Sequence, residues 1–155
     1  MTAELGSDWE SLFVDFKRTP VASASIGQVH QATLKSTGQR VAVKVQFPGI
    51  KDSIASDLNN LSLLLRSAAL LPKGLYLENT IKVMRRELED ECDYLKEAEA
   101  CRRFKSLLKD DEYFEVPDVV DEASTGQVLT MEWMNGKPLS RTKNLSQETR
   151  NEVSP

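Results

Sequence analysis

Apolar residues recur along this chain in two rhythms. Val41, Val43 and Val45 alternate with Ala42, Lys44 and Gln46, the period of a strand buried on one face. Residues 40–46 are therefore predicted as a strand, with Lys44 emerging opposite the valines. Residues 28–34 form a preceding strand, and Ser36-Thr37-Gly38-Gln39 supplies the turn of a hairpin between them. After Pro48-Gly49 the rhythm becomes helical, with Ile54, Leu58, Leu61, Leu65 and Ala68 spaced by four, three, four and three. Asn59, Asn60, Ser62, Arg66 and Ser67 interrupt this stretch, so a buried amphipathic helix is expected, since a membrane span needs about 18 apolar residues in a row. Pro72-Lys73-Gly74 stops it. One longer, charge-rich helix is predicted over 78–109, with Ile81, Met84 or Arg85, Leu88, Cys92, Leu95 and Ala98 on one stripe. Residues 116–120 and 127–131 read as two more strands. Near the start, Ser7-Asp8-Trp9-Glu10 fits a capping box that opens a short helix through Phe13 and Val14, ended by Pro20.

This order predicts an α+β fold: an antiparallel sheet with an inserted helix and then a long helix, the layout of a protein-kinase N-terminal lobe. Three segments are expected: a short helical one over 1–18, the lobe over 19–140, and the start of a further lobe over 141–155.

Composition narrows the partners. At 155 residues the chain is one domain's worth of sequence. A net charge of −4 and a pI near 5.1 leave no electrostatic footprint for nucleic acid, and no basic run suggests an anionic membrane surface. Cys92 and Cys101 stand nine residues apart; on one continuous helix they would lie on opposite faces and could not pair, so a reducing compartment is the simpler inference. Met1-Thr2-Ala3-Glu4-Leu5 carries no signal or transit pattern. Ser146-Gln147-Glu148 opens a helix that Glu152-Val153-Ser154-Pro155 leaves unfinished, which is what a fragment of a longer protein would show.

The chemistry concentrates in Ala22-Ser23-Ala24-Ser25-Ile26-Gly27-Gln28-Val29 and in Val41-Ala42-Val43-Lys44. In protein kinases G-x-G-x-x-G-x-V folds over the ATP phosphates and the lysine of V-A-I-K reaches them. Here Ala22 and Ala24 stand at the first two glycine positions, Gly27 at the third and Val29 at the valine. Alanine's Cβ restricts the backbone and hinders its close approach to a phosphate, so this loop should be stiffer than a glycine loop. Acidic candidates to pair with Lys44 are Glu87, Glu91, Asp93 and Glu97, and spacing does not choose among them. On one continuous helix Glu91 and Glu97 would point about 120° apart and serve different partners. Glu89 and Asp90 read as a solvated face and His30 as structural; no metal site is expected from any of them.

Three runs in order, Pro20 through His30, Val43-Lys44-Val45-Gln46-Phe47-Pro48-Gly49-Ile50, and Glu91-Cys92-Asp93-Tyr94-Leu95-Lys96-Glu97-Ala98, resemble the UbiB family of atypical kinase-like proteins, most of all its mitochondrial coenzyme Q branch. The resemblance runs from about residue 9 to 153. It implies a mitochondrial location, ATP as the nucleotide, an alanine-rich loop at Ala22–Ser25 in which Ser23 departs from the usual alanine, and Lys44 as the phosphate-binding lysine. It makes Glu97 the partner of Lys44, and assigns Glu91 and Asp93 to the family's E-x-D motif, which there meets a K-x-G-Q segment. Met131 would be the gatekeeper, with the Glu132 carbonyl and Met134 amide facing adenine. No catalytic residue is assigned within this chain: the catalytic-loop aspartate and the Mg-binding residues of such a fold belong to a C-terminal lobe.

Three functions stay open on this reading. One is the nucleotide-binding lobe of an atypical kinase or ATPase supporting ubiquinone biosynthesis, with weak or no turnover by itself. The second is a non-catalytic module contacting ubiquinone-biosynthesis proteins or membrane lipid, and the third is an ordinary kinase lobe, against which Ala22 and Ala24 argue. Apolar surface left uncovered by a missing lower lobe is expected to seek partners.

Overall fold

A computed structural model describes residues 1–67 and 77–136. Its centre is an antiparallel sheet of β1 (Phe13–Phe16), β2 (Ala22–Ser23), β3 (Gly27–Leu34), β4 (Arg40–Gln46) and β5 (Val128–Glu132), in the order β1-β3-β4-β5, with β2 also paired to β3. β3 and β4 form the predicted hairpin, and Gly38 takes φ +70° in its turn, a region glycine enters without steric cost. The valine alternation holds: Val41 and Val43 are fully buried, while Lys44 pairs in register with Val29 and Leu129 on the other face.

The valine face is closed by aromatic residues from the N-terminus. Trp9, Phe13, Ala32, Leu34, Val41, Val43, Ala123 and Val128 make one core, with Phe16 and Val120 packed against it. This corrects the capping-box expectation. Only a short 3-10 turn, Trp9–Leu12, forms there, without a side-chain cap, and Phe13–Phe16 continues as β1 instead of a helix. Burying Phe13 against Leu34 in register outweighs the local helix signal. A single-turn helix, α1 (Thr2–Leu5), precedes it, inside the segment expected to be helical over 1–18.

α2 (Ile50–Ser67) follows Gly49, as the periodicity required. Leu58 is buried, but Leu61, Leu63 and Leu64 are 41%, 69% and 65% exposed, so the expectation of a buried helix holds only for part of its surface. Ala68 and Pro72-Lys73-Gly74 lie outside the described residues. The single helix predicted over 78–109 is two: α3 (Leu77–Glu91) and α4 (Tyr94–Leu107). The break has a cause in the sequence. Asp93 adopts an extended conformation (φ −110°, ψ 91°) and its carboxylate accepts from the amides of Leu95 and Lys96, an N-cap that starts a new helix. Leu95, assigned to the buried stripe, is 58% exposed, and Tyr94 is buried in its stead. Between α4 and β5 the strand expected over 116–120 reduces to a bridge of Val119 to Met131. The segment expected over 141–155 lies outside the described residues, and among the described residues no helix is long and apolar enough to cross a membrane.

Candidate nucleotide-binding site

β-Sheet register assembles the predicted site before any helix is considered. Ala22 pairs with Val29, and Val29 with Lys44, so the three share one face, with Lys44 at the end nearest β5. Ala42 lies on that face too, paired with Gln31 and Met131. The other loop residues are placed by a tight turn: the Ala24 amide donates to the Gly27 carbonyl at 2.9 Å. That amide is therefore used inside the loop. Ala22, Ser23 and Ser25 are exposed, Ala24 is half-buried, and Ile26 and Gly27 are buried.

Gly27 is required for a reason other than phosphate approach. A Cβ there would stand 2.3 Å from the Val45 carbonyl oxygen, so the hairpin itself excludes any side chain. Its φ is not positive; close contact between strands sets the identity.

α4 supplies the charge partner. Lys44 Nζ donates to both Glu97 oxygens, at 3.0 and 2.8 Å, with side-chain exposures of 22% and 33%. Of the acidic candidates left open by spacing, Glu97 is thus the one brought to Lys44. It sits in the first turn of α4, where the helix dipole favours a carboxylate. The 120° argument about Glu91 and Glu97 does not apply, because the two belong to different helices. Glu91 is exposed at the end of α3, whereas the Asp93 side chain is spent capping α4.

A buried bracket holds the start of α4. Gln46, 7% exposed at the end of β4, donates from Nε2 to the carbonyls of Cys92 (2.8 Å) and Gly126 (3.4 Å). The Tyr94 amide also donates to Gly126, at 3.1 Å. Cys92 lies in the helix break and Cys101 within α4, so they are not residues of one helix, and both thiols are free. Burial pushes both thiols up from their usual range, which keeps them protonated near neutral pH. At the far edge, Met131 and Glu132 end β5 and Met134 follows; the Glu132 amide is tied to the Asp118 carbonyl and that of Trp133 to Arg40. Among the acids read as solvated, Glu89 is exposed and Asp90 pairs with Lys96 at 2.6 Å. His30 Nδ1 donates to the Lys17 carbonyl at 2.9 Å and its ring stacks on Phe16.

A short loop before β3, a lysine on β4 and a glutamate on α4 thus lie on one side of the sheet. The ABC1 atypical kinase-like domain matches residues 1–155. The chain belongs to this family. The atypical kinase COQ8, named mitochondrial, of Saccharomyces cerevisiae is 52% identical over 154 residues, 99% of this chain and 30% of that protein. The mitochondrial COQ8B of Danio rerio is 48% identical, over 97% of this chain and 24% of that protein. The chain thus spans less than a third of the length of these relatives. The structure of Rv3197 from Mycobacterium tuberculosis, solved with erythromycin, superposes with a TM-score of 0.81 at 35% identity, covering 98% of this chain and 38% of that one. The kinase-like N-lobe is therefore the fold of this ABC1 domain, and the names of its COQ8 relatives make it mitochondrial.

Proposed function

We propose that this ABC1 domain forms the nucleotide-binding upper lobe of an atypical kinase or ATPase that serves ubiquinone biosynthesis. ATP would lie beneath the Ala22–Gly27 loop, its phosphates met by Lys44. The observation that carries this is the bidentate Lys44–Glu97 pair, on the same face as Ala22 and Val29. Such a pair fixes an ammonium in one place, which a phosphate contact needs. Ala42 and Val29 offer an apolar roof for a base, and the Glu132 carbonyl and Met134 amide would face its edge. Bound ATP brings a charged triphosphate; the part of this chain is to bind it, and ligands for an accompanying Mg ion are expected from the remaining length of the relatives.

The experiment is a binding titration with ATP and with adenosine. Lys44→Ala should weaken ATP by about tenfold or more, the worth of a charge-assisted contact, and leave adenosine unchanged. Equal ATP affinity in the variant would refute the reading.

A second reading draws on a separate observation. Leu61, Leu63, Leu64, Val83 and Met84 leave α2 and α3 with exposed apolar surface, which suits contact with other ubiquinone-biosynthesis proteins or with lipid. It coexists with nucleotide binding. Capture of such a partner by a variant that has lost ATP binding would separate the two.

A further inference from the structure

We propose that Tyr94 is a positioning residue for Lys44: its ring is the platform on which the ammonium rests while Glu97 holds it from the side. This inference rests on the nucleotide-binding reading above. Lys44 Nζ stands 4.4 Å from the centroid of the Tyr94 ring, within the range of a cation–π contact, and such contacts strengthen away from water. Tyr94 is 0% exposed. It also stands three residues before Glu97 on α4, a spacing that puts both side chains on one face of a helix. One helical turn therefore presents an aromatic face and a carboxylate to one ammonium.

The turn is itself anchored to the strand that carries the lysine. Gln46 lies two residues beyond Lys44 on the same face of β4 and bonds the Cys92 carbonyl, while Asp93 caps the helix and the Tyr94 amide bonds Gly126. Lys44 and the platform beneath it are thus set by one short circuit of bonds.

The ring, and not the hydroxyl, is the useful part. The Tyr94 hydroxyl is buried and has no hydrogen-bond partner among the described residues, a cost that phenylalanine would not incur. Burial also holds the phenol far above its usual range, so it stays neutral and adds no charge near the pair.

The test compares Tyr94→Phe and Tyr94→Leu in the full chain, with two readouts. The first is the proton shift of the Lys44 ε-methylene. It should be displaced upfield by the ring in the parent and in Tyr94→Phe, and return toward the free-lysine value in Tyr94→Leu. The second is affinity for ATP against adenosine: Tyr94→Leu should weaken ATP by about tenfold and spare adenosine, and Tyr94→Phe should leave both unchanged and melt no lower than the parent. An undisplaced Lys44 signal, unchanged ATP affinity in Tyr94→Leu, or equal losses in Phe and Leu would each overturn the proposal. If the parent binds no ATP, the nucleotide reading fails instead, and the methylene shift still decides whether the ring carries the lysine.

Discussion

Val43 and Lys44 are consecutive in β4 and look to opposite sides of the sheet. Val43 shares an apolar core with Trp9, Phe13, Leu34 and Val128, and the buried hydroxyl of Thr130, its register partner on β5, donates to the Ala123 carbonyl at 2.6 Å. Around Lys44 stand a carboxylate, a buried glutamine, a helix break and a tyrosine whose hydroxyl is unpartnered among the described residues. The first side lowers free energy by burial alone. The second brings an ammonium, a carboxylate and a buried amide together, groups that a purely structural core would have discarded. On the proposed reading, one side holds the fold and the other meets the nucleotide.

That contrast can be broken, or sharpened, by mutation. The largest effect is expected at Gly27, where a Cβ would press on the Val45 carbonyl. Gly27→Ala should cost about 3 kcal/mol or more of stability in denaturant unfolding, because backbone must move to admit the methyl. Leu34→Ala, in the aromatic-lined core, should cost about 3 kcal/mol through its cavity while ATP affinity per folded molecule stays constant. Glu97→Gln should do the reverse. Its half-screened pair contributes only about 1 kcal/mol or less to stability, yet ATP affinity should fall several-fold as Lys44 loses its fixed partner. If Leu34→Ala and Glu97→Gln changed affinity alike, the division between the faces would be false.

Smaller effects probe the supports. Asp93→Ala removes the cap of α4 and should cost about 1 kcal/mol, with a modest accompanying loss of ATP affinity. Ala24→Gly should change ATP affinity if the loop covers phosphate, and leave it alone if the loop is only a turn. The least effect is expected from the exposed Asp90–Lys96 pair. Lys96 holds the Asp90 carboxyl below its usual value of 3.8, so the pair's contribution is complete at neutral pH and is lost only as pH falls below that value. Melting curves of the parent and of Lys96→Met should accordingly coincide near neutrality to within a small difference, which disappears in acid.

How much of this was legible in the sequence differs between the same two sides. The bounds of β4, the side on which Lys44 emerges and the β3–β4 turn follow from strict alternation and turn chemistry. Naming Glu97 needed the family resemblance, since four acids were compatible with spacing. The break between α3 and α4 was hidden because Cys92, Leu95 and Ala98 continue the helical rhythm through it. The signal was Asp93, a strong capping residue, masked by the charged residues around it. With the break unseen, Leu95 took the buried place and Tyr94 went unremarked, although a one-residue shift of register exchanges them. β1 was misread because its burial depends on Leu34, far along the chain, which no local pattern reports.

The central claim is that ATP occupies the face shared by Ala22, Val29 and Lys44. Amide hydrogen exchange, followed with and without ATP, tests it most directly. The account predicts slowed exchange on ATP binding in residues 22–27 and 132–134, with residues 9–13 behind the sheet unchanged. Protection confined to α2 and α3, or none in the loop at saturating ATP, would contradict it.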